Sequence, residues 1–319
     1  MQKKTQKKIH KAKKSLGQNF LKSISALNKI IEEGEITPDD IILEIGPGKG
    51  ALTEKLLESA GTVIAIEKDK ELFLLLQEKF TEEINNKKLI LLNEDILDCA
   101  PDSSFLGSLS PRTRGAFTLG SSACESPQKE KSGSPLKYKI IANIPYNITG
   151  AILKKFLTET NQPSMMVLMV QNEVAKRIVA RDNKESILSI SVKAYGTPKI
   201  AMKVPARYFS PAPKVDSAII SIKNISRKNF PPLLNKERAG VRFLNSPPPN
   251  LPLIKGEENT FEKKFWEIIH AGFAHKRKKL SNNLKKYIGK AYVIEEKDYK
   301  NMRAEDLTLE DWLLLTKGD

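Results

Sequence analysis

The sequence predicts an α/β protein in which an open, mostly parallel sheet binds a nucleoside and a small helical domain follows. Three observations lead to this fold class. Residues 41–50 read Ile-Ile-Leu-Glu-Ile-Gly-Pro-Gly-Lys-Gly, an apolar run that enters a glycine-rich turn and continues into a helical pattern. A second apolar run, residues 62–66, ends in Glu67. Residues 260–319 have mainly helical spacing, without such strands.

The glycine turn is the first candidate for a binding site. Gly46 and Gly48 allow a ligand to approach the backbone closely, and the helix predicted over 51–59 points its free N–H groups at that ligand. Glu67 follows the next strand, where a carboxylate can accept hydrogen bonds from both hydroxyls of a ribose. With Ala51 in the third glycine position, the pattern also fits dinucleotide-binding dehydrogenases. A tight turn without a ligand is a further alternative.

Later apolar runs extend the predicted sheet. We expect strands at 88–92, 138–142, 165–170, 200–204 and 217–222, with the last two paired at its edge. Helices are predicted at 24–31, 71–80, 148–157 and 171–180, and residues 186–194 are expected to be buried. Asp95 follows a strand, where it either accepts from an adenine amino group or caps a helix. Residues 205–214 are too rich in proline for regular structure.

Composition shifts predict the domain organisation. Residues 1–14 form a basic N-terminal arm, and residues 15–227 form the sheet domain, in which 102–137 is a disordered insertion. Residues 228–259 are a low-complexity linker or insertion, and 260–319 form the helical domain. Within that domain we predict helices at 261–273, 276–288, 295–299 and 309–316.

The bulk properties of the 319-residue chain restrict its function. A net charge of +15 favours a polyanionic partner, with nucleic acid ahead of a membrane surface. Two cysteines without paired histidines predict no metal site and fit a reducing cytoplasm. The lysine-rich N-terminus lacks the apolar segment of a secretory signal, and no apolar run is long enough to span a bilayer.

Residues 143–146, Asn-Ile-Pro-Tyr, follow the strand predicted at 138–142 and predict chemistry on a base. An exocyclic amino group is a poor nucleophile, which acceptors such as the Asn143 side chain and nearby backbone carbonyls would make more pyramidal. Pro145 stiffens the turn, and the ring of Tyr146 offers a face for stacking. A sulfonium methyl donor is already activated, so no strong general base is needed, in agreement with the absence of a hydrolase-like catalytic set. A strand-terminating turn with a buried tyrosine is the alternative.

These motifs together resemble the ribosomal RNA adenine N6,N6-dimethyltransferase family, in particular its bacterial small-subunit enzymes. The resemblance spans residues 15–285 and rests on Leu16-Gly-Gln-Asn-Phe-Leu21, Leu43-Glu-Ile-Gly-Pro-Gly48, Asn143-Ile-Pro-Tyr-Asn147, Phe209-Ser-Pro-Ala-Pro-Lys-Val-Asp-Ser217 and Phe273-Ala-His-Lys-Arg-Lys-Lys-Leu280. It implies a Rossmann-like class I methyltransferase sheet, with S-adenosylmethionine as donor and no metal. The implied target is two adjacent adenines in the 3′-terminal hairpin loop of 16S ribosomal RNA, on an immature 30S subunit during its biogenesis. We expect a cytoplasmic monomer.

The resemblance also assigns roles to residues that match its motifs. It implies that the donor is contacted by Asn19, Leu21, Gly46, Glu67, Asp95 and Asn143. The target-base pocket is shaped by Asn143, Pro145 and Tyr146, and Phe209 stacks on the flipped adenine.

Three departures from the family pattern concern local contacts. The stretches at 102–137 and 228–259 are longer than usual, His275 stands where the family has Gln, and Glu185-Ser-Ile187 replaces a Tyr-Gly pair.

A dense basic stretch is the candidate RNA surface. We expect the following side chains to lie on or near one helix and to contact phosphates: Lys276, Arg277, Lys278, Lys279, Lys285 and Lys286. Lys176 and Arg177 extend this surface, and a solvated charged face is the alternative. Two other functions stay open: a large-subunit methylase that confers macrolide resistance, and a non-catalytic factor in ribosome assembly.

Overall fold

The computed structural model describes residues 12–99, 137–230, 260–275, 277–288, 293–294 and 297–317. These residues form two compact units. The sheet unit comprises the described residues of Met1–Val179 and Gly196–Ile225, and the helical unit those of Ala180–Tyr195 and Ser226–Asp319. The predicted arm, insertion and linker lie almost wholly outside the described residues.

The sheet unit alternates strands and helices along the chain. Its strands are β1 (Phe20–Leu21), β2 (Ile41–Ile45), β3 (Thr62–Ile66), β4 (Leu89–Leu92), β5 (Lys139–Asn143), β6 (Met165–Gln171), β7 (Thr197–Val204), β8 (Phe209–Ser210) and β9 (Ser217–Lys223). Its α-helices are α1 (Ile24–Gly34), α2 (Ala51–Ser59), α3 (Lys70–Lys79), α4 (Thr81–Asn85), α5 (Thr149–Thr158) and α6 (Asn172–Val179).

Seven strands form one sheet in the order β4-β3-β2-β5-β6-β9-β7. The first five are parallel, whereas β9 pairs antiparallel with both β6 and β7. Strand order reverses between β2 and β5, because β3 and β4 extend to one side and β6 to the other. Open parallel sheets bind ligands beyond the carboxyl ends of the strands at such a switch point. Here that point separates the glycine turn from residues 143–146.

Continuous apolar runs explain why the central strands are buried on both faces. All five residues of β3 are buried, as are all but the first of β2. The α/β prediction is therefore confirmed, together with the pairing of the two late strands at the sheet edge. Residues 205–214 are more regular than we predict from their prolines: Ala206–Tyr208 form a 3-10 turn, and β8 pairs antiparallel with β1.

The helical unit has an aromatic core of its own. It contains α7 (Ile187–Lys193), α8 (Thr260–Gly272), α9 (Leu280–Asn283), α10 (Lys285–Ile288), α11 (Leu309–Lys317) and the paired short strands β10 (Val293–Ile294) and β11 (Lys297–Asp298). The ring of Phe230 packs 5.3 Å from that of Tyr195 and 5.1 Å from that of Phe265. Phe273 stacks on Trp312 at 5.6 Å. Phe230 thus belongs to a core, although we predict a linker from residue 228.

The units differ from the predicted domain boundary, because residues 180–195 group with the helical unit. The N–H of Glu185 donates to the carbonyl of Glu305, and the hydroxyl of Tyr195 donates to Glu262. The predicted helix at 276–288 is wrong: two four-residue helices, α9 and α10, meet at Leu284. The predicted helix at 295–299 is also wrong, since β11 lies there.

Candidate active site

The glycine turn after β2 lies at the switch point of the sheet. The N–H of Gly46 donates to the carbonyl of Ile66 at 2.9 Å, which ties the turn to the end of β3. Gly46 has a φ of +65°, and a Cβ built on it would lie 3.9 Å from Cδ of Pro145. A side chain at this position would project into the gap between the turn and the segment after β5. The positive φ, which L side chains rarely adopt, is the reason that this position favours glycine.

The carboxylate of Glu67, which is 6% exposed, is oriented by backbone donors. Its Oε2 accepts from the N–H of Gly48 at 3.0 Å, and its Oε1 accepts from the N–H of Asp69 at 2.8 Å. Each carboxylate oxygen can accept two hydrogen bonds, and on each oxygen one of these two positions is used by a backbone N–H. The assigned role of Glu67 toward a ribose fits this orientation and stays a prediction.

Asp69 connects this network to the N-terminal segment. Its carboxylate accepts from Nζ of Lys13 and from Nε2 of Gln18, both at 2.8 Å, and from the N–H of Glu71 at 3.1 Å. Burial opposes ionisation of Asp69, but these donors outweigh it and hold the pKa of that carboxyl below its ordinary value. The ionised group therefore holds residues 13–18 against the start of α3.

Asp95 both caps a turn and carries an ion pair. Its Oδ1 accepts from the N–H of Leu97 at 3.0 Å, and its Oδ2 lies 2.5 Å from Nζ of Lys68. Burial raises the pKa of Asp95. The hydrogen bonds from Lys68 and Leu97 lower it by more than burial raises it, so the pKa lies below its ordinary value. The alternative role that we weigh, a helix cap, is not what the described residues show, because Asp95 caps a turn at residues 96–98. An amino group of a ligand would meet an acceptor that is already ionised.

Asn143 is the last residue of β5, and its side-chain amide has a defined orientation. Its Nδ2 donates to the backbone carbonyl of Asn19 at 3.2 Å. Because only the nitrogen of an amide can donate, this contact directs Oδ1 away from Asn19. Asn19 itself donates from Nδ2 to the carbonyl of Gly17 at 3.1 Å. The structure therefore brings the loop of Asn19 and the acceptor group of Asn143 together.

Pro145 and Tyr146 continue from Asn143 at the same edge of the sheet. Pro145 lies beside two glycines, since a Cβ on Gly17 would lie 3.6 Å from its Cβ and one on Gly46 would lie 3.9 Å from its Cδ. The hydroxyl of the half-buried Tyr146 lies 2.5 Å from Oγ of Ser217. Burial raises the pKa of Tyr146 against the opposing effect of Ser217, so the phenol stays protonated.

Leu21 and Phe209 pair with each other across β1 and β8. Both side chains are buried, and Phe209 is only 2% exposed. A ring this covered has no free face for a base, so the assigned stacking on adenine requires part of its surroundings to move. The assignments of Leu21 and Phe209 stay predictions.

The basic residues of the helical unit do not lie on one helix. Arg277, Lys278 and Lys279 are exposed and precede α9, and Lys285 is exposed at the start of α10. Lys276 and the side chain of Lys286 lie outside the described residues. In the sheet unit, Lys176 and Arg177 are exposed on α6. Their assignment to RNA stays a prediction.

The described residues include neither a metal site nor a membrane-spanning helix. No three side chains among the described His, Cys, Asp and Glu residues are grouped so that they could hold a metal ion. Within the same residues, no helix is both long and apolar enough to cross a membrane.

Sequence reasoning missed two residues at this site. Asp69 had a local signal, because an Asp directly before a helical pattern is a common N-cap, and it caps α3 here. Ser217 ends the motif at residues 209–217 that carries the family resemblance, but the resemblance assigns it no role. Its contact with Tyr146 depends on β9 running antiparallel beside β6, which the sequence spacing does not specify.

The chain matches the sequence model of one protein family, described as ribosomal RNA adenine dimethylase, over residues 9–235. It is 35% identical to ribosomal RNA small subunit methyltransferase A of Dehalococcoides mccartyi strain CBDB1, over 95% of this chain and 86% of that protein. It is also 35% identical to the protein of the same name from Streptococcus thermophilus strain CNRZ 1066, over 89% of this chain and 81% of that protein.

Two solved structures have the same fold. The 23S rRNA methyltransferase ErmE superposes with a TM-score of 0.64 at 22% identity, over 94% of this chain and 98% of its own. A dimethyladenosine transferase from Plasmodium falciparum superposes with a TM-score of 0.64 at 24% identity, over 93% and 95%. At these identities the likeness concerns the fold, which is the class I methyltransferase fold.

Proposed function

The chain belongs to the ribosomal RNA adenine dimethylase family and is a methyltransferase, and from that premise we propose its substrates and the roles of its residues. The proposed reaction is N6,N6-dimethylation of two adjacent adenines in the 3′-terminal hairpin loop of 16S ribosomal RNA. S-adenosylmethionine is the donor, and the substrate is an immature 30S subunit in the cytoplasm. The enzyme acts as a monomer and needs no metal.

One observation carries this proposal: the glycine turn and residues 143–146 face each other across the switch point of the sheet. A Cβ built on Gly46 would lie 3.9 Å from Cδ of Pro145, at van der Waals contact, so the two segments lie side by side. Both segments end neighbouring parallel strands, β2 and β5. A nucleoside on one segment and a base on the other would therefore present their reacting groups to each other, which is the alignment that methyl transfer requires.

The donor side of the gap fits a nucleoside with a charged methionine part. Glu67 would accept from the ribose hydroxyls, and Asp95 from the adenine amino group. Gly46 would border the ligand, and the loop of Asn19 and Leu21 would cover it. The sulfonium of the bound donor supplies an already activated methyl group. The chain therefore has to orient the two substrates rather than activate the methyl group.

The acceptor side fits an exocyclic amino group. The amide of Asn143 donates to Asn19, which leaves its Oδ1 oriented to accept from the adenine N6 hydrogens. A backbone carbonyl of residue 144 or 145 is the second acceptor, and Pro145 limits the motion of that turn. The ring of Tyr146 stacks on the extruded base, and Phe209 does so after its surroundings have moved. A loop adenine leaves its stack at lower cost than a paired one.

The basic stretch of the helical unit would bind the RNA backbone. Arg277, Lys278 and Lys279 are exposed and consecutive, as expected of side chains that neutralise neighbouring phosphates. Lys276 belongs to the same sequence run. The net charge of +15 is consistent with a large polyanionic substrate.

The similarity to known proteins favours neither of the two competing functions, a large-subunit methylase and a non-catalytic assembly factor. The two relatives described above, each 35% identical, bear a small-subunit name, whereas the likeness to the 23S enzyme is at 22% identity and concerns the fold. A non-catalytic assembly factor would not need the Asn143 orientation or the open glycine turn.

The test is to incubate the purified protein with labelled S-adenosylmethionine and small subunits that lack the modification, and then to map the labelled nucleotides. Large subunits serve as a parallel substrate. We expect N6,N6-dimethyladenine at two adjacent positions of the 3′-terminal loop. Label in the large subunit only, or binding to small subunits without transfer, would contradict the proposal.

A further inference from the structure

Ser217 occupies an unusual position for a residue at this edge of the sheet. It is the first residue of β9, and it is 0% exposed. Because β9 runs antiparallel to β6, Ser217 pairs with Gln171, the last residue of β6. The amino end of β9 therefore lies at the carboxyl edge of the parallel strands. Its side chain reaches the site although its own strand runs in the opposite direction.

The partner of Ser217 is Tyr146, whose backbone has less support. Tyr146 begins the 3-10 turn Tyr146–Ile148, directly after Pro145 and outside the strand ladders. Ser217, in contrast, is paired on both sides, with Gln171 in β6 and Val204 in β7. The 2.5 Å contact between the two hydroxyls therefore ties the ring of Tyr146 to the rigid part of the sheet.

We propose that Ser217 is a positioning residue, which fixes the position of the hydroxyl end of the Tyr146 ring, on which the target adenine stacks. This inference rests on the proposed function. Ser217 does not touch the RNA, because it is fully buried. It acts through the Tyr146 hydroxyl alone, so removing either hydroxyl should have the same consequence.

The test is a double-mutant cycle with Ser217→Ala, Tyr146→Phe and the double variant, in single-turnover methyl transfer to unmodified small subunits. We expect each single variant to lower the transfer rate of the bound complex about fivefold, the effect of losing one neutral hydrogen bond. The double variant should lose no more than either single variant, because both remove the same interaction. Affinities for S-adenosylmethionine and for the subunit should stay within twofold of wild type.

Ser221→Ala is the matched control. Ser221 is as buried as Ser217 and lies on the same strand, but its hydroxyl donates to Glu33 at 3.2 Å. Its loss should cost stability, measured by urea unfolding, and leave the transfer rate unchanged. The inference is overturned if Ser221→Ala slows transfer as much as Ser217→Ala does, or if the two losses multiply in the double variant. A wild-type protein that transfers no methyl group to small subunits would instead refute the proposed function.

Discussion

Replacing Glu67 by Gln tests whether the end of β3 holds the donor. The two carboxylate oxygens each accept from a backbone N–H, of Gly48 and of Asp69. A glutamine keeps the shape but has one acceptor oxygen, so its NH2 group must face one of these two donors. One hydrogen bond to a charged acceptor is then lost, at a cost of roughly 1.5–3 kcal/mol. We expect both the stability of the free protein and its affinity for S-adenosylmethionine to fall.

The expected change in the dissociation constant for S-adenosylmethionine follows from the free energy of one such hydrogen bond. If the ribose hydroxyls also lose a charged acceptor of similar strength, the dissociation constant should rise roughly 10- to 150-fold. Isothermal titration calorimetry with S-adenosylmethionine measures it, and urea unfolding reports the stability. Glu78→Gln, at an exposed position on α3, is the control and should change neither quantity. Binding of the donor by Glu67→Gln within twofold of wild type would refute the assignment of Glu67 to the ribose.

Three further predictions concern RNA affinity, backbone conformation and pH. Lys278→Glu combined with Lys279→Glu should weaken RNA binding and reduce the slope of log affinity against log salt by about 1 to 2, and an unchanged slope would remove these lysines from the interface. Gly50 has a φ of +77° and a Cβ there would lie 2.6 Å from an aromatic carbon, so Gly50→Ala should lower the free energy of unfolding by roughly 2–5 kcal/mol. A Cβ at Gly150 would meet nothing within 4 Å, so Gly150→Ala should not lower the free energy of unfolding. Equal losses of stability in Gly50→Ala and Gly150→Ala would contradict the argument from backbone conformation and crowding. Burial raises the pKa of Glu44 from 4.5 to about 8, so the native state holds a proton that the unfolded chain releases, and stability should fall as pH rises from about 4.5 to 8. The stability of Glu44→Gln, measured by urea unfolding over this pH range, should lack that decline. Parallel curves of stability against pH for the variant and the wild type would contradict this role of Glu44.

The parts of the site that directly follow an apolar run could be predicted. Gly46 and Glu67 follow apolar runs, and Asn143 follows another, so their places at the carboxyl ends of parallel strands follow from local pattern. The proximity of the three then follows from the fold class. The lengths of the central strands were predicted to within one residue for the same reason, since apolar runs define them.

Contacts that depend on strand register could not be predicted. Phe209 is covered because β8 pairs with β1, some 190 residues earlier in the chain. The two ends of α9 likewise have distant partners: at its start the N–H of Leu280 donates to the carbonyl of Met302, and at its end Nδ2 of Asn283 donates to the carbonyl of Gly272. Helical periodicity alone continues through residues 276–288. Neither tertiary hydrogen bond leaves a signal in the local sequence.

The most direct test of the whole account is single-turnover methyl transfer by Asn143→Ala on unmodified small subunits, with RNA affinity measured in parallel. Asn143 orients an acceptor toward the adenine amino group and contacts no phosphate in this account, so transfer should fall roughly 100-fold or more, while the affinity for the subunit stays within a few-fold. Transfer at the wild-type rate by this variant would contradict the claim that a methyl donor and an extruded adenine meet between Gly46 and Asn143.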